Sequence, residues 1–182
     1  MHPSRTSRLT AALSLTTAVL LTACASNAPV AKATEDLPQP QSGVWQVTST
    51  DQTSQQVSFK DCMDGDTFRK TRALQEAKRE AADCKTQVLK VNDGWEFSSN
   101  CKVGGTDQRI ETSSKISGDF KQNFHVLAVS KQQMPDGSVV ETSRNIKGDY
   151  LGACPADMKP GDRLFTDGER INFFEVTGMP KK

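Results

Sequence analysis

Cys84-Lys85-Thr86-Gln87-Val88-Leu89-Lys90-Val91-Asn92-Asp93-Gly94-Trp95-Glu96-Phe97-Ser98-Ser99-Asn100-Cys101 is two short runs of β-branched and aromatic residues joined by a turn signal and closed by a cysteine at each outer end. That pattern predicts a hairpin with a staple across its open end. If Val91 and Gly94 flank a two-residue turn, paired residue numbers sum to 185, and so do 84 and 101, so this register sets the cysteines opposite each other. The apolar residues argue for a register one step away, with Val91 on Trp95 and Leu89 on Phe97. A bulge at Gly94 or along the strand would reconcile the two, and both registers stay open at this point.

Outward from the hairpin, the chain reads as more of the same. Trp45 and Val47 alternate with Gln46 and Thr48, and Val57 and Phe59 alternate with Ser58 and Lys60, the period of half-buried strands. Further on come Ile110, Thr112, Ser114 and Ile116, a turn at Gly118-Asp119, a run from Phe124 to Val129, the turn Pro135-Asp136-Gly137, and a run from Val140 to Tyr150. Proline presets the first corner of such a turn and glycine accepts its positive φ. One helix interrupts the series, roughly Asp66 to Ala82. Its interior of Ala, Leu, Glu, Lys, Arg and Gln favours helix, and an Asp before it can cap the free amides. Leu74, Ala77 and Ala81 form a thin apolar face with Phe68 at its edge, so the helix is expected to lie on a sheet. The fold class is therefore mainly β: an antiparallel meander of about seven strands, a curved sheet or half-barrel, with one helix inserted between strands two and three.

The beginning of the chain is of a different kind. Arg5 and Arg8 precede an uncharged run from Leu9 to Ala23, shorter than the about 18 residues of a membrane-spanning helix and flanked like a secretory signal. Residues 1–23 are expected to be that signal. Leu21-Thr22-Ala23-Cys24 resembles the lipobox of bacterial lipoproteins, which implies that Cys24 carries a thioether-linked lipid and becomes the first residue. Ala25, where inner-membrane retention would place Asp, implies attachment to the outer membrane, facing the periplasm. Residues 24–42 hold three prolines and no aromatic residue, the composition of a disordered tether. The β domain is expected over 43–155, followed by a C-terminal extension, 156–182, able to add a hairpin.

The whole chain carries 23 basic and 22 acidic side chains, and losing Arg5 and Arg8 leaves it near neutral. Nucleic acid is not expected as a partner, because phosphate binding draws on a basic excess. Beyond Cys24 there are four cysteines, 62, 84, 101 and 154, with no C-x-x-C, and after the signal only His125 remains as a histidine. An even count in an exported chain predicts two disulfides over a metal site. Chain direction then chooses among the three pairings. Strand two climbs to Cys62, the helix returns the chain to the bottom at Cys84, the hairpin brings Cys101 back to the bottom, and the last strand leaves Cys154 at the top. This predicts Cys62 with Cys154 and Cys84 with Cys101.

Gly43-Val44-Trp45-Gln46-Val47, Cys62 at a strand end, Cys84 and Cys101 around an Asp-Gly turn, Gly118-Asp119, and Leu151-Gly152-Ala153-Cys154-Pro155, taken in order, resemble the domain of unknown function 3617 family of small exported bacterial proteins. The resemblance covers roughly 43 to 155 and implies no activity to carry over.

Catalytic motifs are missing: there is no nucleophile elbow, zinc-protease helix, phosphate loop or redox dithiol. His125 lies alone in an apolar run and reads as structural. The acids Asp61, Asp64 and Asp66 lack the ligand order of a calcium loop. Arg69, Lys70, Arg72, Lys78 and Arg79 read as a solvated helix face rather than a lipid-headgroup patch. The expected function is a non-catalytic binding or interaction module, without cofactor, held to the membrane through the N-terminal lipid and engaging an unknown envelope protein. The alternatives are a lipocalin-like carrier of a small apolar ligand, lined by Trp45, Trp95, Phe97, Phe124 and Tyr150, and a periplasmic enzyme inhibitor.

Overall fold

The computed structural model describes residues 37–104 and 106–177; the signal, Cys24 and residues 178–182 lie outside them. In chain order the elements are β1 (Gly43–Asp51), β2 (Gln56–Met63), α1 (Gly65–Ala81), β3 (Lys85–Val91), β4 (Gly94–Lys102), β5 (Arg109–Gly118), β6 (Asn123–Gln133), β7 (Val139–Gly152), β8 (Asp162–Phe165), β9 (Arg170–Asn172) and α2 (Phe173–Val176). All nine strands form one open antiparallel sheet in the order β3-β4-β5-β6-β7-β1-β2-β8-β9. The expected fold class holds, with two differences. The C-terminal extension adds β8 and β9 to the β2 edge, and β1 is not an edge but pairs with both β2 and β7. The β1–β7 pairing joins residues about a hundred positions apart, which local alternation cannot reveal.

Register answers the question left open for the hairpin. Lys85 pairs with Asn100, Val88 with Phe97, Lys90 with Trp95 and Val91 with Gly94, so the two-residue turn and the cross-strand cysteines prevail and no bulge intervenes. Gly94 holds φ at 149°, and a Cβ there would strike the carbonyl of Ile116 in β5. Glycine therefore lets the hairpin turn tightly against its neighbouring strand. The consequence is that Val88, Trp95 and Phe97 share one face of the sheet and Leu89 points to the other.

Following the pairing across the strands, that first face also carries Trp45, Phe59, Asp61, Ile116, Phe124, Val126, Ile146, Arg163, Phe165 and Ile171. It is the helix side. The Arg79 guanidinium of α1 lies 5.9 Å from the Phe97 ring, and Val88 is 1% exposed. From β2 to β3 is six strand places, about 29 Å at about 4.8 Å each, and the 17 residues of α1 supply about 25 Å at 1.5 Å per residue. The helix and its connectors thus carry the chain from one end of β2 to the opposite end of β3. Asp64 caps α1, its carboxylate accepting from the Thr67 amide at 2.7 Å. The expected apolar face is corrected: Ala77 and Ala81 are exposed, while Thr67 is buried and Phe68, Thr71, Leu74 and Arg79 are half-buried. The helix is buried most in its first turn, at Thr67, and towards its last turn it reaches the sheet through the long Arg79, so the alanines there mark helix preference and not contact.

Both disulfides are formed as the topology requires, Cys62 with Cys154 and Cys84 with Cys101. Cys62 is fully buried in a small cluster with Val44 and Met158, against which Cys154 and Leu164 pack. Gln41 and Ser42, assigned to the tether by composition, are bonded to the domain. The Gln41 amide donates to the Phe120 carbonyl at 2.8 Å, Trp45 Nε1 donates to the Gln41 carbonyl at 2.8 Å, and the Tyr150 hydroxyl donates to the Ser42 carbonyl at 3.1 Å.

Candidate functional site

The five aromatic residues singled out in the sequence all lie on the helix side; three of them pack on one another and a fourth, Trp95, joins the row through Phe120. Trp95 meets Phe120 edge-on with centroids 5.6 Å apart. Phe120 stacks on Phe124 at 6.0 Å, Phe124 meets Trp45 at 5.3 Å, and Trp45 meets Tyr150 at 5.5 Å. Such pairs add about 0.5–1.5 kcal/mol each beyond area burial. Phe120 is the link that sequence reasoning missed. It sits in the β5–β6 turn at φ 57°, a conformation uncommon for a bulky side chain, and Asp119 organises that turn by accepting from the amides of Lys121, Gln122 and Asn123. Those bonds hold the Asp119 carboxyl below its ordinary range. Gly148 is the other enabling residue, since a Cβ there would overlap the Phe124 ring. Phe97 stands apart from the row, under Arg79. Trp45, at 2% exposed, is a core residue. Trp95 Nε1 and Thr86 Oγ1 are buried polar atoms with no hydrogen-bond partner among the described residues.

The opposite face is built differently. Across β3 to β6 it presents Lys85, Gln87, Leu89, Glu96, Ser98, Asn100, Glu111, Ser113, Lys115, Leu127, Val129 and Lys131, with no aromatic ring among them. Short serines at the centre and long side chains at the rims leave a furrow of about 800 Å³. A second hollow of about 370 Å³ shares Ser98, Ser113 and Val129 with it and adds Leu89 and Leu127. Leu89 and Leu127 are 42% and 45% exposed. The furrow contains charges of both signs, and Lys131 is held by Glu141 of β7 at 3.1 Å.

Remaining sequence candidates have structural partners. His125 Nε2 lies 2.7 Å from the Asn145 side-chain oxygen. Asp61 takes a two-pronged bond from Arg163 at 2.7 and 2.8 Å, Asp64 caps α1, and Asp66 pairs with Arg69 and Lys70, so the three acids point to three separate tasks. Arg72 lies over Phe68, and Lys70 over Phe174.

The model for the family described as protein of unknown function (DUF3617) matches residues 40–154. The chain belongs to that family. The DUF3617 match begins three residues before β1 and ends at Cys154, so both disulfides and the aromatic row fall inside it, whereas β8, β9 and α2 fall outside. No curated protein and no solved structure matches the chain.

Proposed function

We propose that this DUF3617 protein is a lipid-anchored, periplasm-facing module of the outer membrane that binds an envelope protein through the outer face of β3 to β6 and carries out no catalysis. The observation that carries the reading is the outward Leu89. In the register adopted, Leu89 leaves the helix side and, from β3, faces Leu127 and Val129 of β6 across a hollow whose middle carries Ser98 and Ser113 beside Glu96 and Lys115. Exposed apolar side chains lining one concave surface mark an interaction site better than scattered ones, and the charges of both signs set among them suit the polar, wet contacts of a protein interface. On the helix side, by contrast, the aromatic row is engaged with itself, which weighs against the carrier reading. The anchor rests on the lipobox and the tether, which extends the domain's reach without fixing its orientation.

A photoreactive amino acid at position 127 in the protein expressed from its own lipidated precursor tests the docking face, with position 57 on the other face as control. Crosslinking to one defined envelope protein at 127 and not at 57 is the expected outcome; equal labelling at both ends the reading. Mass spectrometry of the mature N-terminus tests the anchor, and an unmodified Cys24 refutes it.

A further inference from the structure

The inward stripe at the start of α1 is polar. Thr67, Thr71 and Gln75 recur at helical spacing on one side of the helix, where packing on a sheet calls for apolar residues. They face Met63 of β2, Ile171 of β9, and Phe173 and Val176 of α2 across a niche of about 370 Å³, at the small end of ligand pockets, which run about 300–1,000 Å³. The floor is the Asp61–Arg163 pair, with Arg163 lying 3.7 Å over the Phe59 ring.

The charged groups here are engaged. Asp61 and Arg163 neutralise each other in a fork, and the buried Asp162 accepts on both carboxylate oxygens from neutral donors, the Lys159 amide and the Asn172 side chain, each at 2.8 Å. The niche therefore offers an anionic ligand no unpaired cation and a cationic one no open carboxylate. An acyl chain would fit the apolar wall but cover the Gln75 carboxamide without replacing its water, which costs free energy; the Thr71 hydroxyl already donates to the Thr67 carbonyl at 2.8 Å. The third guanidinium nitrogen, Nη1 of Arg163, and the Gln75 carboxamide make no hydrogen bond among the described residues. What the niche offers is one apolar wall with an aromatic edge, opposite a row of neutral or neutralised hydrogen-bonding groups.

We propose that the niche binds an uncharged saccharide of one or two hexose-type rings. A sugar ring carries an apolar C–H face, suited to Ile171 and Phe173, and hydroxyl groups that both donate and accept, suited to the Gln75 carboxamide, to Nη1 of Arg163 and to the Thr71 oxygen, which still accepts while its proton is held by the Thr67 carbonyl. An N-acetyl substituent adds a methyl group for the apolar wall. More than half of the niche, seven of its twelve residues between Gly161 and Thr177, comes from the extension beyond the family match, so the site is a property of this chain's C-terminus laid onto the family domain. It does not depend on the docking face of β3 to β6.

The test is a titration of the mature chain with N-acetylglucosamine and with its β-1,4-linked dimer, followed by amide NMR. Saturable shifts confined to Thr71, Gln75, Ile171, Phe173 and their neighbours are expected, with Kd on the order of 0.1–10 mM. Gln75→Ala, at the exposed mouth, should weaken binding about three- to tenfold by removing one or two neutral hydrogen bonds, and Ile171→Trp should abolish it. If Ile171→Trp does not fold, Gln75→Ala still decides the matter. No shift at these residues, shifts that survive a folded Ile171→Trp, a Gln75→Ala affinity equal to the parent's, or shifts with 1-octanol and not with either sugar would overturn the proposal.

Discussion

Cys62 and Cys84 stand two residues outside the caps of α1, Asp64 and Ala82, and each is bonded to a cysteine at an opposite end of the sheet, Cys154 and Cys101. The helix is therefore fastened at both ends. The two links span 92 and 17 residues, and loop-closure entropy assigns them up to about 4 to 5 and about 3 kcal/mol. Cys62 is wholly buried and only its partner Cys154 is half-buried, whereas Cys84 and Cys101 are both half-buried, so the shorter link offers reductant two accessible sulfurs against one and is expected to open first. Graded reduction without denaturant, followed by alkylation and peptide mass spectrometry, should label Cys84 and Cys101 ahead of Cys62 and Cys154. The reverse order would mean that the helix opens from its N-terminal end.

Gly148 leaves room for the Phe124 ring, the middle of the aromatic row. Gly148→Ala puts a methyl group where that ring lies, and overfilling a packed site costs about 1–3 kcal/mol. The urea midpoint should fall accordingly. Phe124→Leu in the same background should restore part of the loss, because a smaller side chain relieves the clash; an unchanged deficit would place the strain in the backbone.

The parts of the fold set by local chemistry were legible in the sequence. Asn92-Asp93-Gly94 and the alternation around it specify the hairpin, and Asp64 and the helix-forming run after it specify α1. Chain direction through those two elements was enough to pair the cysteines. What escaped was non-local or depended on side-chain reach. Nothing near Trp45 announces that β1 slots between β2 and β7. Phe120, central to the aromatic row, looks like a turn residue because the signal around it is Gly118-Asp119. The helix face was misassigned because alanines mark helix preference, not contact. Composition drew the tether to Ser42, yet backbone bonds to Phe120 and side-chain bonds from Trp45 and Tyr150 hold its last two residues.

The turn that presents Phe120 should respond to acid. Bonds from the amides of Gln122, Lys121 and Asn123 favour the Asp119 carboxylate and lower its folded pKa below the unfolded value near 3.8. A group lowered on folding contributes its full stability above the unfolded pKa and loses it as pH falls through the folded one. Thermal unfolding measured from pH 5 downward should show the melting temperature dropping below about pH 4, and Asp119→Asn, which keeps an acceptor but cannot titrate, should flatten that drop. An identical acid limb in the variant would assign it to other carboxylates, Asp51 and Asp136 among them, which turn bonds also hold low.

Arg163 secures the C-terminal extension to β2, forking onto Asp61 and stacking on Phe59. Lysine keeps the charge but neither the fork nor the flat contact. Arg163→Lys should cost about 1–2 kcal/mol, the lower part of the range for hydrogen bonds to a charged group, since Arg163 is partly solvated. Hydrogen exchange should show the loss concentrated in β8 and β9. Uniform deprotection of the whole sheet would show instead that the extension and the family domain unfold as one unit.

The hairpin register makes opposite demands on two adjacent residues. Val88 is buried on the helix side and Leu89 lines the outer hollow, so Val88→Ala should cost about 1–3 kcal/mol while Leu89→Lys should stay within about 0.5 kcal/mol of the parent. The alternative register exchanges the two residues between faces, because a one-residue slip turns every side chain over. Denaturation of the two variants therefore reads the register directly. If Leu89→Lys proves the costlier, Val91 faces Trp95 after all and the hollow loses its apolar side on β3. If Leu89→Lys leaves the fold intact but removes the crosslink formed from position 127, the outward leucine is kept for a partner and not for the sheet.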